Sequence, residues 1–539
     1  MQKFSLSLFL FAVTLVSLSA GGETPFHSTT TLAIETGNNT SAADGFAQQP
    51  NGNVASTNVS KVPTRTLLYP GAMTKLYAHL VPWFGFGDHV EIGYNSADIL
   101  QVQKQVTDMI SRGLDGVIID WYGPGTLMRK FVSYDQGTQA IMLEAEKHPG
   151  FTFAIMEDVG ALKECGRRSG CDLTETLIDD LNYAQRTYEG SPAYMRYNDR
   201  PVVLFFGMTT VKIDWHRVRS RVAGDPMFIF RNSGAFVHEV SDGGYAWVSS
   251  RRKNPKSQDQ TKDQVLYPGM GYLDGYYNSA MRHSNEFSLG AGFKGFDDSI
   301  ALWSGGRYLD QQCGQTWLRS IAEAEKYYSA DSQMYGIQLV TWNDYEEGTE
   351  FETGIENCVA VAANAHGTAI SWRATGEEST IDHYTIFVSQ DGENLMPLAN
   401  TATDTHSLEL SNFGLDPGDY IVYVKAVGKP SLTNKMSGGE RITIRPRPSR
   451  RNSGSSSTLS VSPELGTAPM EVSASLVTAE SVQPMLTTID FGDGTVTTGQ
   501  LTATHVYSLP GTYTVMATVT DARGTSSTRV ASVQITEVQ

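Results

Sequence analysis

Cysteine is scarce: 4 in 539 residues, too few for disulfides to be the main source of stability. Their spacing is too wide, and too far from histidines, for a thiolate metal site. Basic residues are also in deficit, with 41 Lys and Arg against 58 Asp and Glu and a formal charge of -17. A chain so charged offers no positive field to phosphates, which excludes nucleic acid as an expected partner. Beyond residues 1–20, no apolar run approaches the length needed to cross a bilayer. There is no glycine-rich phosphate cradle with a basic clamp, no GxGxxG loop after the first strand candidate and no GxSxG elbow. Phosphoryl transfer, dinucleotide binding and serine hydrolysis therefore find no support, and no cofactor or metal is expected.

What is present begins with MQKFSLSLFLFAVTLVSLSA, residues 1–20, where one Lys precedes an apolar run that ends in small residues. That order predicts a signal peptide and a secreted or otherwise extracytoplasmic protein. In an oxidising compartment the close pair Cys165 and Cys171 is expected to staple a loop, leaving Cys313 and Cys358 as the second pair. Residues 21–64, rich in Thr, Ser, Asn, Gly and Ala, read as a flexible arm with too little apolar surface to offset the entropy of ordering.

Residues 65–363 alternate short apolar runs with longer amphipathic stretches. The strand candidates are KLYAHLVPWF (75–84), GVIIDWYG (116–123), FTFAIMED (151–158), PVVLFFG (201–207), MFIF (227–230), YAWV (245–248), GAGFKGFDD (290–298) and YGIQLVTW (335–342). The helical candidates ADILQVQKQVTDMISRG, GTQAIMLEAEKH, TETLIDDLNYAQRTY and TWLRSIAEAEKYYS lie between them. Eight such alternations predict an α/β fold, a (β/α)8 TIM barrel. Residues 364–444 change to short alternating segments between turns, residues 445–460 form a basic linker without apolar periodicity, and a second all-β region covers 461–539. The expected architecture is a barrel followed by two all-β sandwich domains, complete enough at Ala363 for the barrel to fold alone.

In such a barrel the reactive groups stand at the C-terminal strand ends. Those ends hold His79 and Trp83; Asp120, Trp121 and Tyr122; Glu157 and Asp158; Asp298; and Trp342, Asn343, Asp344, Tyr345 and Glu347. Carboxylates interleaved with aromatics suit carbohydrate, since acids bind hydroxyls and exchange protons while rings lie against sugar faces. Splitting a glycosidic bond takes one acid to protonate the leaving oxygen and a second carboxyl to activate a nucleophile. Asp344 and Glu347, three apart in one loop, are the catalytic candidates, and the remaining strand-end residues are the substrate-binding candidates. Glu346, Glu350, Glu352 and Glu356 are expected to be solvated loop acids. Read blandly, His79 is a hydrogen-bonded core residue and Asp158 a helix cap.

The run HLVPWFGFGDHVEIGYNSADILQVQKQVTDMISRGLDGVIIDWYGPG, 79–125, together with WNDYEEGTE, 342–350, resembles the glycoside hydrolase clan that contains the family 99 endo-alpha-mannosidases and family 71 alpha-1,3-glucanases. The family 99 motif is close to WNEWxEGT and the family 71 motif to WNDYxES, and the acids of both fall on Asp344 and Glu347. Asp344 and Tyr345 resemble the glucanase side; Gly348 and Thr349 resemble the mannosidase side. The resemblance implies either inversion by an acid and a base, or retention through an epoxide formed by the sugar's 2-hydroxyl. It also implies that Asp120, Trp121 and Tyr122 form a sugar-binding edge, that Trp83 stacks on a neighbouring unit and that Glu157 or Asp158 holds hydroxyls. Residues 364–444 resemble a fibronectin type III domain. IDFGDGTVTTGQLTATHVYSLPGTYTVMATVTDARG, 489–524, resembles a PKD domain through its FGDG turn, His505, Tyr507 and PGTYTV run. The expected protein is a monomeric, secreted glycoside hydrolase, endo-acting on an alpha-linked glucan or mannan. The alternative is a non-catalytic carbohydrate-binding or adhesion protein built on the same barrel.

Overall fold

Strand Gly116–Trp121 is buried at every position, as expected of an Ile- and Val-bearing run covered on both faces rather than wet on one. The computed structural model describes residues 58–252, 262–445, 457–478, 484–493, 495–508, 510–521 and 526–536. In it, eight strands run β1 (Lys75–Leu80), β2 (Gly116–Trp121), β3 (Thr152–Asp158), β4 (Arg200–Phe206), β5 (Met227–Arg231), β6 (Gly243–Tyr245), β7 (Phe287–Phe293) and β8 (Gly336–Val340). Each pairs in parallel with the next, and β8 pairs back onto β1. The sheet thus closes into a barrel and leaves no free edge.

Among the described residues seven α-helices intervene: α1 (Ile99–Ser111), α2 (Arg129–Ala145), α3 (Val159–Gly166), α4 (Leu173–Thr187), α5 (Trp215–Arg221), α6 (Lys262–Arg282) and α7 (Gln315–Ala322). Helix α1 starts where the Asp98 carboxylate accepts from Gln101 N at 3.0 Å, supplying an acceptor that the first turn lacks. Its Val102, Val106 and Met109, at three- and four-residue spacing, are buried. Asp172 caps α4 in the same way, accepting from Thr174 N and Glu175 N. Among the described residues no helix is long and apolar enough to cross a membrane.

Several elements differ from their sequence reading. The YAWV strand ends at Tyr245, which releases Trp247 from the sheet. GAGFKGFDD divides: β7 stops at Phe293, and Phe296–Asp297 pairs antiparallel with Arg307–Leu309 in a separate small sheet. Helix α6 was not expected, because its sequence carries Pro268, Gly269, Gly271 and Gly275, which lower helix propensity. The end of the predicted arm is ordered: Ser60 N donates to Leu432 O, Asn434 N to Asn58 O and Thr64 N to Arg112 O. Residues 1–57 and 446–456 lie outside the described residues, so the signal-peptide reading and most of the arm and linker readings do too.

After the barrel come β-sandwich-like sheets. Strands Ala360–His366, Ala369–Thr375 and Ser407–Glu409 form one sheet; Met396–Thr401, Ile381–Ser389, Gly418–Gly428 and Lys435–Met436 form another, with Glu440–Ile444 also on Gly418–Gly428. The first of these strands begins at Ala360, so the expected boundary after 363 falls inside it. The segment 429–434 leaves this sandwich for the barrel. Leu432 is fully buried in the barrel's core cluster, and Trp317 Nε1 donates to Pro430 O at 2.8 Å. Disulfides join Cys165 to Cys171 and Cys313 to Cys358, the latter tying α7's approach to the entry of the sandwich. A last pair of sheets starts at Thr458, within the expected linker, and closes on Phe491, Tyr507 and Val515. There the Tyr507 hydroxyl donates to Phe491 O at 2.7 Å.

Candidate active site

Strand parity decides which predicted residues reach the barrel mouth. Asp120 faces an open cavity of about 430 Å³ at the C-terminal strand ends, and Tyr122 beyond it does the same. Trp121, between them, turns away: its Nε1 donates to Asp135 at 2.8 Å and its ring stacks on Tyr183 of α4. Glu157 is in register with Trp121 and shares that outward direction. Its carboxylate is fully buried with both oxygens unpartnered, and burial, then Asp180, pushes its pKa well up. Asp158, one residue on, lines the cavity and also caps α3 by accepting from Gly160 N. It is both the cap and the cavity acid.

The loop after β8 is held from within. Thr341 Oγ1 lies 2.8 Å from Thr349 Oγ1 and accepts from Asp344 N; Asp344 Oδ1 accepts from Glu346 N at 3.1 Å and Glu347 N at 3.0 Å. Gly348 turns the chain with φ +61°, a conformation that suits glycine. Glu347 O accepts from Asp297 N at 2.8 Å. Both Asp344 and Glu347 line the cavity.

The other residues of this loop hold it rather than line it. Asn343 bridges to β1's extension, accepting from Val81 N and donating to Val81 O, each at 2.9 Å. Trp342 is buried beneath the Arg112 guanidinium, 4.8 Å from its ring. The Tyr345 hydroxyl donates to Glu352 at 2.9 Å. Three of the acids expected in solvent are engaged in the interior. Glu346, 1% exposed, meets His89 Nδ1 at 2.7 Å, and Glu352 accepts from Tyr94, Gln101 and Gln105 besides Tyr345. Glu350 accepts from Lys294, itself buried, at 2.6 Å. Aromatic and cationic neighbours supplied by distant loops overrode the expectation that a polar loop acid faces water. Glu356, at the sandwich entry, pairs with Lys435.

Asp298 is fully buried and does not line the cavity. It accepts from Gly305 N, Arg307 N and Arg307 Nε, and so fixes Arg307, which reaches Glu347 at 3.3 Å. Burial opposes ionisation of Asp298, but these hydrogen bonds hold its carboxyl below the usual range.

Electrostatically the cavity favours protons on its acids. Burial, then the Glu347 charge, pushes Asp344 well up; burial, then Asp158, does the same to Asp120. Burial raises Asp158 to about 6, and it raises Glu347 against the opposing pull of Arg307. His79 at the cavity wall is drawn down to about 3 by burial, so it is neutral, and neither ring nitrogen has a partner. Its ring stands edge-on to Trp247 at 4.7 Å. Trp83 also lines the cavity with an unpartnered Nε1, its ring stacked on His89 at 4.5 Å. Trp303 closes over both.

Of the predicted set, His79, Trp83, Asp120, Tyr122, Asp158, Asp344 and Glu347 meet at this cavity; Trp121, Glu157, Asp298, Trp342, Asn343 and Tyr345 stand behind it. Sequence reasoning missed His89, Lys163, Arg231, Trp247, Trp303 and Arg307 on its wall. Trp247, in a strand candidate, was within reach of the strand-end argument. The loop residues carried no local signal.

If Glu347 is the proton donor, its link to Arg307 gives a prediction. Arg307→Gln removes the cation that lowers the Glu347 pKa, so the alkaline limb of the pH–rate profile moves upward while the rate falls about tenfold. Initial rates on an oligosaccharide across pH check this, and an unmoved alkaline limb counts against Glu347 as the titrating acid.

Comparison with known proteins bears on the C-terminal region. Residues 464–536 match the PKD domain family, and this segment is a PKD domain. The PKD1 domain of Vibrio anguillarum Epp is 29% identical over 16% of this chain and 99% of its own, with a TM-score of 0.14. The PKD1 domain of the Vibrio cholerae metalloprotease PrtV is 24% identical over 15% of this chain and 90% of its own, with a TM-score of 0.12. A structure described as the basis for the promiscuous specificity of carbohydrate-binding modules from the beta-sandwich super family is 31% identical over 15% of this chain. The match spans 34% of that structure, with a TM-score of 0.15. No curated protein matches the chain. Among the described residues no group of three or more His, Cys, Asp or Glu side chains is placed to hold a metal ion.

Proposed function

We propose that the chain is a secreted glycoside hydrolase of the clan that its motifs resemble, acting within an alpha-linked glucan or mannan. On this reading its barrel is a (β/α)8 barrel of the TIM type, followed by a fibronectin type III-like module and the PKD domain. The observation that carries the reading is the convergence of Asp120, Asp158, Asp344 and Glu347 on one cavity walled by Trp83, Tyr122, Trp247 and Trp303. A neutral His79 and the unpartnered Trp83 N–H supply further hydrogen-bonding groups for hydroxyls.

The chemistry follows from proton occupancy. Burial raises both Asp344 and Glu347 and each disfavours the other's charge, so the two titrate as a pair that shares one proton between them. Glu347, held at the wall by Arg307, protonates the departing glycosidic oxygen. Asp344, fixed by two backbone N–H groups, assists the attacking hydroxyl or balances the positive charge that develops on the sugar. Asp120 and Asp158 hold hydroxyls of the reacting unit, and the aromatic wall orients the rings on either side.

The test is reducing-end release from a panel of alpha-glucans and alpha-mannans by the full chain. Release from at least one polymer is expected. No release, with binding retained, would favour the carbohydrate-binding alternative.

A further inference from the structure

Two cations on the cavity wall are left without a salt bridge among the described residues. Arg231 ends β5 and Lys163 lies on α3, and both line the cavity. The Arg231 guanidinium lies over the Phe206 ring at 4.5 Å. Among the described residues, neither side chain makes an ion pair or a hydrogen bond. Arg307, the third cation of the wall, is already committed to Asp298 and Glu347. The cavity is also lined by the carboxylates Asp120, Asp158, Asp344 and Glu347, yet none of them forms an ion pair with Arg231 or Lys163.

Asp158 feels both cations, which favour its charge. It is engaged by Gly160 N as the cap of α3, and burial still holds its pKa at about 6. The cavity's other acids, Asp120, Asp344 and Glu347, are likewise raised by burial, and Glu347 is already met by Arg307. A neutral glycan filling the cavity would strip water from the half-buried Arg231 guanidinium without replacing it, at a cost in affinity, whereas Lys163 is exposed and keeps its water. An anionic group that presents two oxygens would take that water's place. Arg231, braced on a ring, can meet two oxygens of such a group at once, and Lys163 adds a point charge from a second element.

We propose that Arg231 and Lys163 form a subsite for an anionic group, a carboxylate or a sulfate ester, carried by a sugar unit of the ligand. This deepens the glycosidase reading by assigning an acidic substrate class, and it rests on that reading only for the sugar that carries the anion.

The experiment is calorimetric titration of the full chain with maltotriose, trigalacturonate and 6-sulfated maltotriose. At least one acidic probe is expected to bind at least about tenfold more tightly than maltotriose, and the one preferred identifies the anion. Arg231→Gln and Lys163→Gln should each narrow the acidic-to-neutral ratio severalfold, and the double variant should bring it close to one, with circular dichroism reporting an intact fold. Equal affinity for all three probes, failure of both acidic probes to bind, or an acidic-to-neutral ratio unchanged in the double variant would each overturn the subsite. Because binding rather than cleavage is read, a protein that prefers acidic probes but cleaves no glycan would contradict the glycosidase reading alone.

Discussion

Asp344→Asn and Glu347→Gln are each expected to lower turnover of an alpha-linked oligosaccharide by at least about a hundredfold, a barrier increase of about 2.7 kcal/mol, in proteins that remain folded. Both substitutions keep side-chain size and remove the carboxyl that gives a proton or balances developing charge. The loop should survive Asp344→Asn, since an amide oxygen can still accept from Glu346 N and Glu347 N as Oδ1 does now. The neighbouring acids separate position from charge. Glu346→Gln weakens the hold on His89, on which Trp83 stacks, and should cost about tenfold, an effect of positioning rather than of proton transfer. Glu356→Gln, at the sandwich entry, should change turnover little. Oligosaccharide binding and circular dichroism distinguish lost chemistry from lost fold. Near-normal turnover in a folded Glu347→Gln protein would move the acid to Asp120 or Asp158.

A chain ending at residue 363 is expected to lose the barrel's stability, not merely its appended modules. Truncation there cuts strand Ala360–His366 and removes Leu432 from the barrel core and Pro430 O from the Trp317 indole. It also strips Ser60 and Asn58 of their partners at Leu432 and Asn434. Burial of one leucine is worth about 2 kcal/mol, and an orphaned buried N–H costs a further 1 kcal/mol or so. With the lost strand pairing, the melting temperature should fall by about 10 °C or more, or the protein should aggregate. Leu432→Ala in the full chain isolates one part of this, with an expected loss of about 3 kcal/mol. A truncated protein that melts with the full-length barrel would show that 429–434 only rests on it. Ending the chain instead before the last pair of sheets, near residue 445, leaves every one of these contacts intact and should leave the barrel transition unchanged.

The barrel was legible because buried parallel strands have short, continuous apolar runs, and all eight runs named from the sequence contain or overlap an observed strand. The direction of side chains at the strand ends was less legible. Trp121 and Glu157 follow the strand's alternation outward, while Trp83, beyond β1, and Tyr122, beyond β2, line the cavity. No composition argument distinguishes these cases. Glu346, Glu350 and Glu352 looked like surface acids because their partners His89, Lys294, Tyr94 and Gln105 are remote in sequence. The same remoteness hid Arg307 and Trp303, whose loop reaches the site only once Phe296–Asp297 pairs with Arg307–Leu309. The end of the arm, too polar to order itself, is ordered by backbone hydrogen bonds to 432–434, a long-range pairing that local composition does not encode.

The central claim is that this cavity cleaves glycosidic bonds, and the most direct measurement is mass spectrometry of an alpha-linked oligosaccharide incubated with the full chain in oxygen-labelled water. The account predicts shorter products carrying one labelled oxygen at each new reducing end, and loss of both cleavage and label in Glu347→Gln. An oligosaccharide that binds the folded protein yet stays intact and unlabelled, for every alpha-linked glucan and mannan tried, would contradict it.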